Sequence, residues 1–409
     1  MNSMLELKKK YIPMCAAGIL SVRKCARITG LSPFSVSRLK KRYRQRGDAI
    51  WIHGNKGRVP ANKRFNRDDI VSFYNTRFCA APFAVTADYY PRRASYSTVY
   101  KALSSAGIVS PRARIPVREK RKHLPRAERP NEGDLVQVDG SRHDWLMDGR
   151  KITLHGAVDD ATHKVVALYF CENECLLGYY QLLRQIRERT GGLPRAIYSD
   201  RSSCFFVNRG TTLEEQLAGA ERAETQWQKT CKALKIELIA AYSPQAKGRI
   251  ERLWQTLQRR LPYIFRFLKI DTIGKANAFL AEFIDGFNAR FAVPPQDSRP
   301  RWQPPPRHCD FDHLLSVRAE KKTRADGTFV YHGYKFRLVS ARASRVRFTL
   351  CLSESYGLRA YRNGRYYDVE LCEPLCDVSG DSMPSVEKDL LFRYLYADSR
   401  SGLASIRAG

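Results

Sequence analysis

At Glu132 the spacing of apolar residues changes from the period of helices to the period of strands, and nothing else in the chain limits its fold as much. From there the pattern predicts strands near 134–139, 151–158 and 164–170, a helix near 173–189, a strand near 194–199, a helix near 222–234, a strand near 235–240 and a helix from about 246 to 266. The order is βββαβαβα. Three strands joined by short connections run antiparallel, and strands separated by helices run parallel. The expectation is an α/β unit with a mixed five-stranded sheet, covered on both faces, in which the first strand is central.

Three acids occupy telling places in that frame. Asp139 closes the run Leu135–Val138, Asp200 closes the run Ala196–Ser199, and Glu251 lies on the last helix, where Ile250, Leu253, Leu257 and Leu261 form the buried stripe. Asp139 is expected at the end of the first strand, beside Asp200 at the end of the fourth. Carboxylates are the hard oxygen ligands that Mg²⁺ prefers, and Mn²⁺ can substitute for it. Two such ions, both bridged by Asp139, would stabilise the attacking and the leaving oxygen of a phosphodiester. Three acids gathered without metal would repel one another. Asp144, Asp159 and Asp160 are rivals, but Asp159-Asp160-Ala161-Thr162-His163 reads as a hairpin turn and is set aside. His143 is a candidate for positioning DNA or water, against an equally good reading as a structural histidine.

Charge points to the partner. With 71 Lys+Arg against 41 Asp+Glu the chain carries a formal +30, and the excess recurs in separate segments. Such a field attracts polyanions, here double-stranded DNA. The 11 cysteines are scattered without regular spacing, which argues for reduced thiols in the cytoplasm and, with DNA as partner, for a nucleoid-associated protein. Cys171 and Cys175, Cys372 and Cys376, and the group His308, Cys309 and His313 are close in sequence, but no second pair at finger-like spacing accompanies them, so zinc is not expected. The apolar run Tyr11–Leu20 contains Pro13 and fits a first helix better than a leader, and no stretch is long enough to span a membrane.

Residues 1–60 are expected to form a helix-turn-helix domain. Ser21 caps a helix, Gly30 makes the turn, and Ser32-Pro33 starts a second helix whose outward face offers Ser35, Ser37, Arg38, Lys40 and Lys41 to base edges and phosphates. A second helix-turn-helix or winged-helix-like domain is expected over 61–110, with a helix from Asp68 to Phe78, another capped by Ser95, and Arg92, Arg93, Ser97 and Thr98 as contacts. Residues 111–130, including Lys120, Arg121 and Lys122, form a basic linker that would follow a DNA backbone. After the catalytic core at 131–268 come a helix and Pro-rich connector at 269–310, a small β-barrel at 311–377 with strands Thr328–Val339 and Arg345–Leu352 and a hairpin turn at Asn363-Gly364, and a tail at 378–409.

The stretches Val138-Asp139-Gly140-Ser141-Arg142-His143-Asp144-Trp145 and Ser243-Pro244-Gln245-Ala246-Lys247-Gly248-Arg249-Ile250-Glu251-Arg252 resemble those of insertion-sequence transposases of the ISNCY group, which have a retroviral-integrase-type (DDE) core. The resemblance covers nearly the whole chain. It implies an RNase H-like core, metal ligands at Asp139, Asp200 and Glu251, Lys247 and Arg249 on DNA phosphates, and a C-terminal barrel that helps bind DNA. It further implies cleavage at the terminal inverted repeats of a mobile element, attack of the freed 3′-hydroxyl on target DNA, and a homo-oligomer that pairs the ends. Fifty residues separate Asp200 from Glu251, more than is usual for such proteins, and the excess falls in Arg201–Glu224. Two rival readings fit the chain less well. A sequence-specific regulator or inactive domesticated copy would have no need of three intact acids, and an RNase H-like nuclease would have little use for repeated DNA-binding modules.

Overall fold

The computed structural model describes residues 3–52, 65–92, 94–111, 127–207, 224–241, 248–307, 309–340, 343–374 and 391. The chain forms two compact units, Met1–Ser72 and Phe73–Gly409. In the first, α1 (Ser3–Ala16), α2 (Val22–Thr29) and α3 (Pro33–Arg46) are followed by a short 3₁₀ turn. Local chemistry sets their limits. Ser21 accepts from the Lys24 N–H, Gly30 ends α2 at φ +67, and Ser32 caps α3 with Pro33 in its first turn. Ile12, Cys15, Cys25 and Val36 make the core, with Leu39 and Tyr43 against it. Helix α4 (Arg67–Arg77) leads into the second unit.

There α5 (Phe83–Tyr89), which the sequence pattern does not announce, and α6 (Tyr96–Ser105) precede the sheet. The sheet is built from β1 (Val136–His143), β2 (Ile152–Asp159), β3 (Val165–Cys171), β4 (Ala196–Ser199) and β5 (Glu237–Ala240), in the order β3-β2-β1-β4-β5. β1, β2 and β3 are antiparallel, and β1, β4 and β5 are parallel. On one face α7 (Leu176–Thr190) and α8 (Gln226–Ala233) bury Val136, Val138 and Ile197. On the other, α9 (Gly248–Gln258), α10 (Leu261–Leu268) and α11 (Ile273–Phe291) cover Leu154, Val158 and Leu168.

Three details depart from the sequence reading. β1 continues to His143, so Asp139 stands in mid-strand rather than at its end. The helix expected from 246 to 266 is two helices, because Pro262 has no N–H to give to the carbonyl one turn earlier. The strand expected over Thr328–Val339 is a hairpin of β7 (Thr328–Tyr331) and β8 (Tyr334–Leu338), turned by His332 and Gly333, both at positive φ.

The edge strand β3 is closed off by side-chain amides. Asn277 and Asn288 of α11 each accept from and donate to one backbone position, Phe170 at 2.7 and 3.1 Å and Val165 at 2.8 and 2.8 Å. They satisfy groups that would otherwise invite another strand. Beyond α11 the Pro-rich connector lies along the core. Val293, Asp297, Arg301 and Gln303 donate their N–H groups to the carbonyls of Thr162, Pro130, Glu132 and Leu193 at 2.7–2.9 Å. Trp302 presses so close to Gly133 and Gly192 that a Cβ on either glycine would fall 2.8–2.9 Å from it.

After the short α12 (Phe311–Leu314), strands β6 (Val317–Lys322), β9 (Arg347–Ser353), β10 (Gly357–Arg362) and β11 (Arg365–Pro374) join β7 and β8 in a nearly closed antiparallel barrel ordered β6-β9-β10-β11-β8-β7. Asn363 and Gly364, at φ +48 and +77, turn β10 into β11 as expected. The barrel interior is continuous with the core domain: Phe336, Leu350 and Leu358 share one apolar cluster with Cys171, Cys175 and Leu177.

Candidate active site

The parallel pairing of β1 with β4 sets Val136 against Ile197 and Gln137 against Tyr198. Carried two residues further, past the last residue of β4, that register would set Asp139 opposite Asp200. Both residues are half-buried. β4 ends at Ser199, so Asp139 marks the point where the central strand loses its parallel neighbour. Asp200 then turns the chain, its Oδ1 accepting the Ser202 N–H at 2.9 Å.

Helix α9 is lashed along β1 by three hydrogen bonds. Ile250 N donates to Gln137 Oε1 at 3.4 Å, Trp254 Nε1 to Asp139 Oδ2 at 2.9 Å, and Gln258 Nε2 to Ser141 Oγ at 3.0 Å. The match is geometric. Four residues of helix rise about 6 Å, nearly the length of two residues of strand, so every fourth helical position meets every second strand position. Gly156, paired with Asp139 across β1 and β2, makes room for this packing, since a Cβ there would lie 2.5 Å from Trp254 Cη2. Glu251 sits in the first turn of α9, three residues before Trp254 and therefore on the same stripe, and it is exposed.

Arg249, expected on DNA phosphates, is engaged within the chain. Its guanidinium, with the side chain 14% exposed, reaches Glu128 at 2.7 Å, Asp160 at 2.8 Å and His163 Nε2 at 3.2 Å. Arg249 foremost, then His163, holds Glu128 below the usual carboxylate range. Asp160 is fully buried and also accepts from Gln137 Nε2 and the Arg129 N–H, while Asp159 accepts from Gly133 and Thr162. These two acids hold the β2–β3 turn together, as their turn-like sequence implied.

Other sequence candidates are spread over the chain. Ser37, Arg38 and Lys41 are exposed on α3 and Lys40 is partly so, while Ser35 accepts a hydrogen bond from Ser32 Oγ at 2.9 Å. Arg92 and Ser97 are exposed near the start of α6, where the Ser95 hydroxyl lies 3.0 Å from Ser97 and 2.9 Å from Thr98. Arg93, Lys120, Arg121, Lys122 and Lys247 lie outside the described residues, as does most of the Arg201–Glu224 excess. His143, edge-on to Trp145 at 5.3 Å, is held below its ordinary pKa, mainly by burial.

One acid escaped the sequence reading. Glu174 precedes α7 and reaches the opposite face of β1, where a Cβ on Gly140 would lie 3.1 Å from its carboxyl carbon. Tyr179 donates to it at 2.6 Å. Burial pushes the nearby Cys204 thiol up to about 11, and Glu174 and Asp200 push the same way. No sequence period marks Glu174, because its place depends on the gap left by Gly140.

No family model matches the chain. It is 32% identical over 342 residues to a Sinorhizobium fredii protein named "Putative transposase y4bF", a match covering 80% of this chain and 71% of that one. It is 28% identical over 326 residues to the transposase for insertion sequence IS1202 of Streptococcus pneumoniae, covering 69% and 68% respectively. The chain belongs to the insertion-sequence transposases. Among solved structures, the transposase is similar at 14% identity and a TM-score of 0.33 to a chain of the simian T-cell lymphotropic virus intasome in complex with the PP2A regulatory subunit B56 gamma, covering 74% of the transposase and 99% of that chain. It is similar at 16% identity and a TM-score of 0.27 to the HTLV-2 integrase catalytic core domain in complex with magnesium, covering 36% and 83%. Among the described residues of the transposase, no helix is long and apolar enough to cross a membrane.

Proposed function

We propose that this transposase binds the terminal inverted repeats of its mobile element and cuts and rejoins DNA at Asp139, Asp200 and Glu251, in an RNase H-like core. The β1–β4 register, which if extended past β4 would set Asp139 opposite Asp200, supports this reading, together with the three bonds that lay the Glu251 helix along β1. The strand order, three antiparallel then two parallel, supports the core assignment. The donor set fits Mg²⁺, or Mn²⁺ in its place: three hard carboxylates, one half-buried within β1, one half-buried just past the end of β4 and one exposed on a helix. A pair of such ions, when bound, supplies charge stabilisation at both the entering and leaving oxygens of the phosphodiester.

The chain's own residues do the positioning. Trp254 fixes Asp139 through Oδ2, the Ser202 N–H fixes Asp200, and Arg249 anchors the first turn of the helix that presents Glu251. Ser37, Arg38, Lys40 and Lys41 on α3 make a basic helical face suited to a DNA groove, as the second helix of a helix-turn-helix would. Arg92 and Ser97 supply a second contact region, and the exposed Arg345, Arg347 and Arg362 of the barrel a third. Pairing two element ends requires at least two protomers.

The test is incubation of purified protein with labelled element ends, target DNA and Mg²⁺. End cleavage and joining are expected, and Asp139→Asn is expected to abolish both while retaining end binding. Undiminished joining in that variant would overturn the assignment.

A further inference from the structure

On the far side of the sheet from α9, and apart from the three acids, the fold gathers His155 of β2, Cys171 at the end of β3 and Cys175 at the start of α7. All three are buried, at 0, 3 and 6% exposure. Their ligand atoms lie within 4.8 Å of one another, the one such trio among the described residues. The imidazole is held in a defined way. Its Nδ1 lies 3.3 Å from the Tyr169 carbonyl, and its Nε2 faces the cysteines and accepts the Cys175 N–H at 3.2 Å, a hydrogen bond that an ion would displace because Nε2 has one lone pair. A carbonyl on Nδ1 is the partner that leaves Nε2 as the ligating nitrogen in metal sites. α7 is shaped for this ring, because a Cβ on Gly178 would lie 2.5–2.7 Å from three of its atoms.

We propose that His155, Cys171 and Cys175 form a structural zinc site. The two cysteines are four positions apart, a ligand spacing common in zinc sites, and bond lengths of about 2.3 Å to sulfur and 2.0 Å to nitrogen would draw the three ligand atoms together from within their 4.8 Å limit. Charge decides between ions. Each thiol releases its proton on binding, and two thiolates with a neutral imidazole cancel the charge of Zn²⁺, so the buried complex carries no net charge. A monovalent soft ion would leave a buried negative charge with nothing to offset it. The fourth position falls to a neutral oxygen, from water or a backbone carbonyl. Since Cys171 and Cys175 share an apolar cluster with barrel residues, the ion ties β2, β3 and α7 together where the barrel is seated.

Protein purified without chelator or metal-affinity resin is expected to contain one zinc per chain by elemental mass spectrometry. Replacement by Co²⁺ is expected to give the near-ultraviolet charge-transfer bands of thiolate ligation, which a carboxylate-bound cobalt ion cannot produce. Cys175→Ser and Gly178→Ala are expected to lose both signals, and the wild type to melt at a lower temperature after chelation and recover with Zn²⁺ but not Mg²⁺. Zinc-free wild type that takes up no cobalt into a thiolate site would overturn the proposal. So would a Cys171–Cys175 disulfide in the freshly purified protein, or thiolate bands that persist in Cys175→Ser.

Discussion

Trp254 donates its indole N–H to Asp139 Oδ2 at 2.9 Å, so the side chain that seals the helix onto the sheet also orients the central carboxylate. Trp254→Phe keeps most of the packing and removes the donor. Strand joining is expected to fall about tenfold, the worth of a hydrogen bond to a charged group, with element-end binding unchanged. Single-turnover joining rates beside a binding titration check this.

Gly156 is the counterpart of that contact. A methyl group there would sit 2.5 Å from Trp254 Cη2 and force the ring outward. Gly156→Ala should destabilise the core by about 1–3 kcal/mol in urea unfolding. Combined with Trp254→Ala, the two effects should fall well short of adding, because both act on one contact.

Arg249→Ala would leave the buried Asp160 without its cation. A loss of about 3 kcal/mol is expected, with Arg249→Lys failing to restore it, since one ammonium cannot serve Glu128, Asp160 and His163 together. Chemical denaturation of the three proteins measures it.

Much of this design was legible in the chain, and the boundary falls between local and distant causes. Ser21, Gly30, Ser32 and Asn363-Gly364 act on neighbours a few residues away, so their turns and caps could be read directly. The strand order followed from period and connection length. Glu174, Trp254 and His155 could not be found this way, because each depends on a glycine elsewhere, Gly140, Gly156 and Gly178, that admits it. The ion pair of Arg249 with Asp160 could not be read either, because the two lie 89 positions apart in sequence.

His143 gives a pH signature. Burial lowers its pKa from the ordinary 6.5, so below that value the unfolded chain takes up a proton that the folded chain does not. Stability is therefore expected to fall as pH drops from 6.5 toward the folded-state pKa. His143→Phe, which keeps a ring against Trp145, should flatten part of that slope when unfolding midpoints near neutrality and at about pH 5.5 are compared.

Asp88 receives Arg260 and Arg290, and with the Arg266 bond to the Cys79 carbonyl it fastens α5 to α10 and α11. Asp88→Asn is expected to cost about 1–2 kcal/mol, a buried-pair loss discounted for partial exposure, and to increase proteolysis between α4 and α6.

The connector that carries Trp302 has no slack to give. Its backbone is consumed by bonds to Thr162, Pro130, Glu132 and Leu193, so the polypeptide between core and barrel works as a seam rather than a leash. Any duplex lying across both would meet a template of constant spacing. Adding residues to that seam would therefore leave the barrel in place and bulge outward, while breaking the seat under Trp302 would set the barrel loose at unchanged chain length.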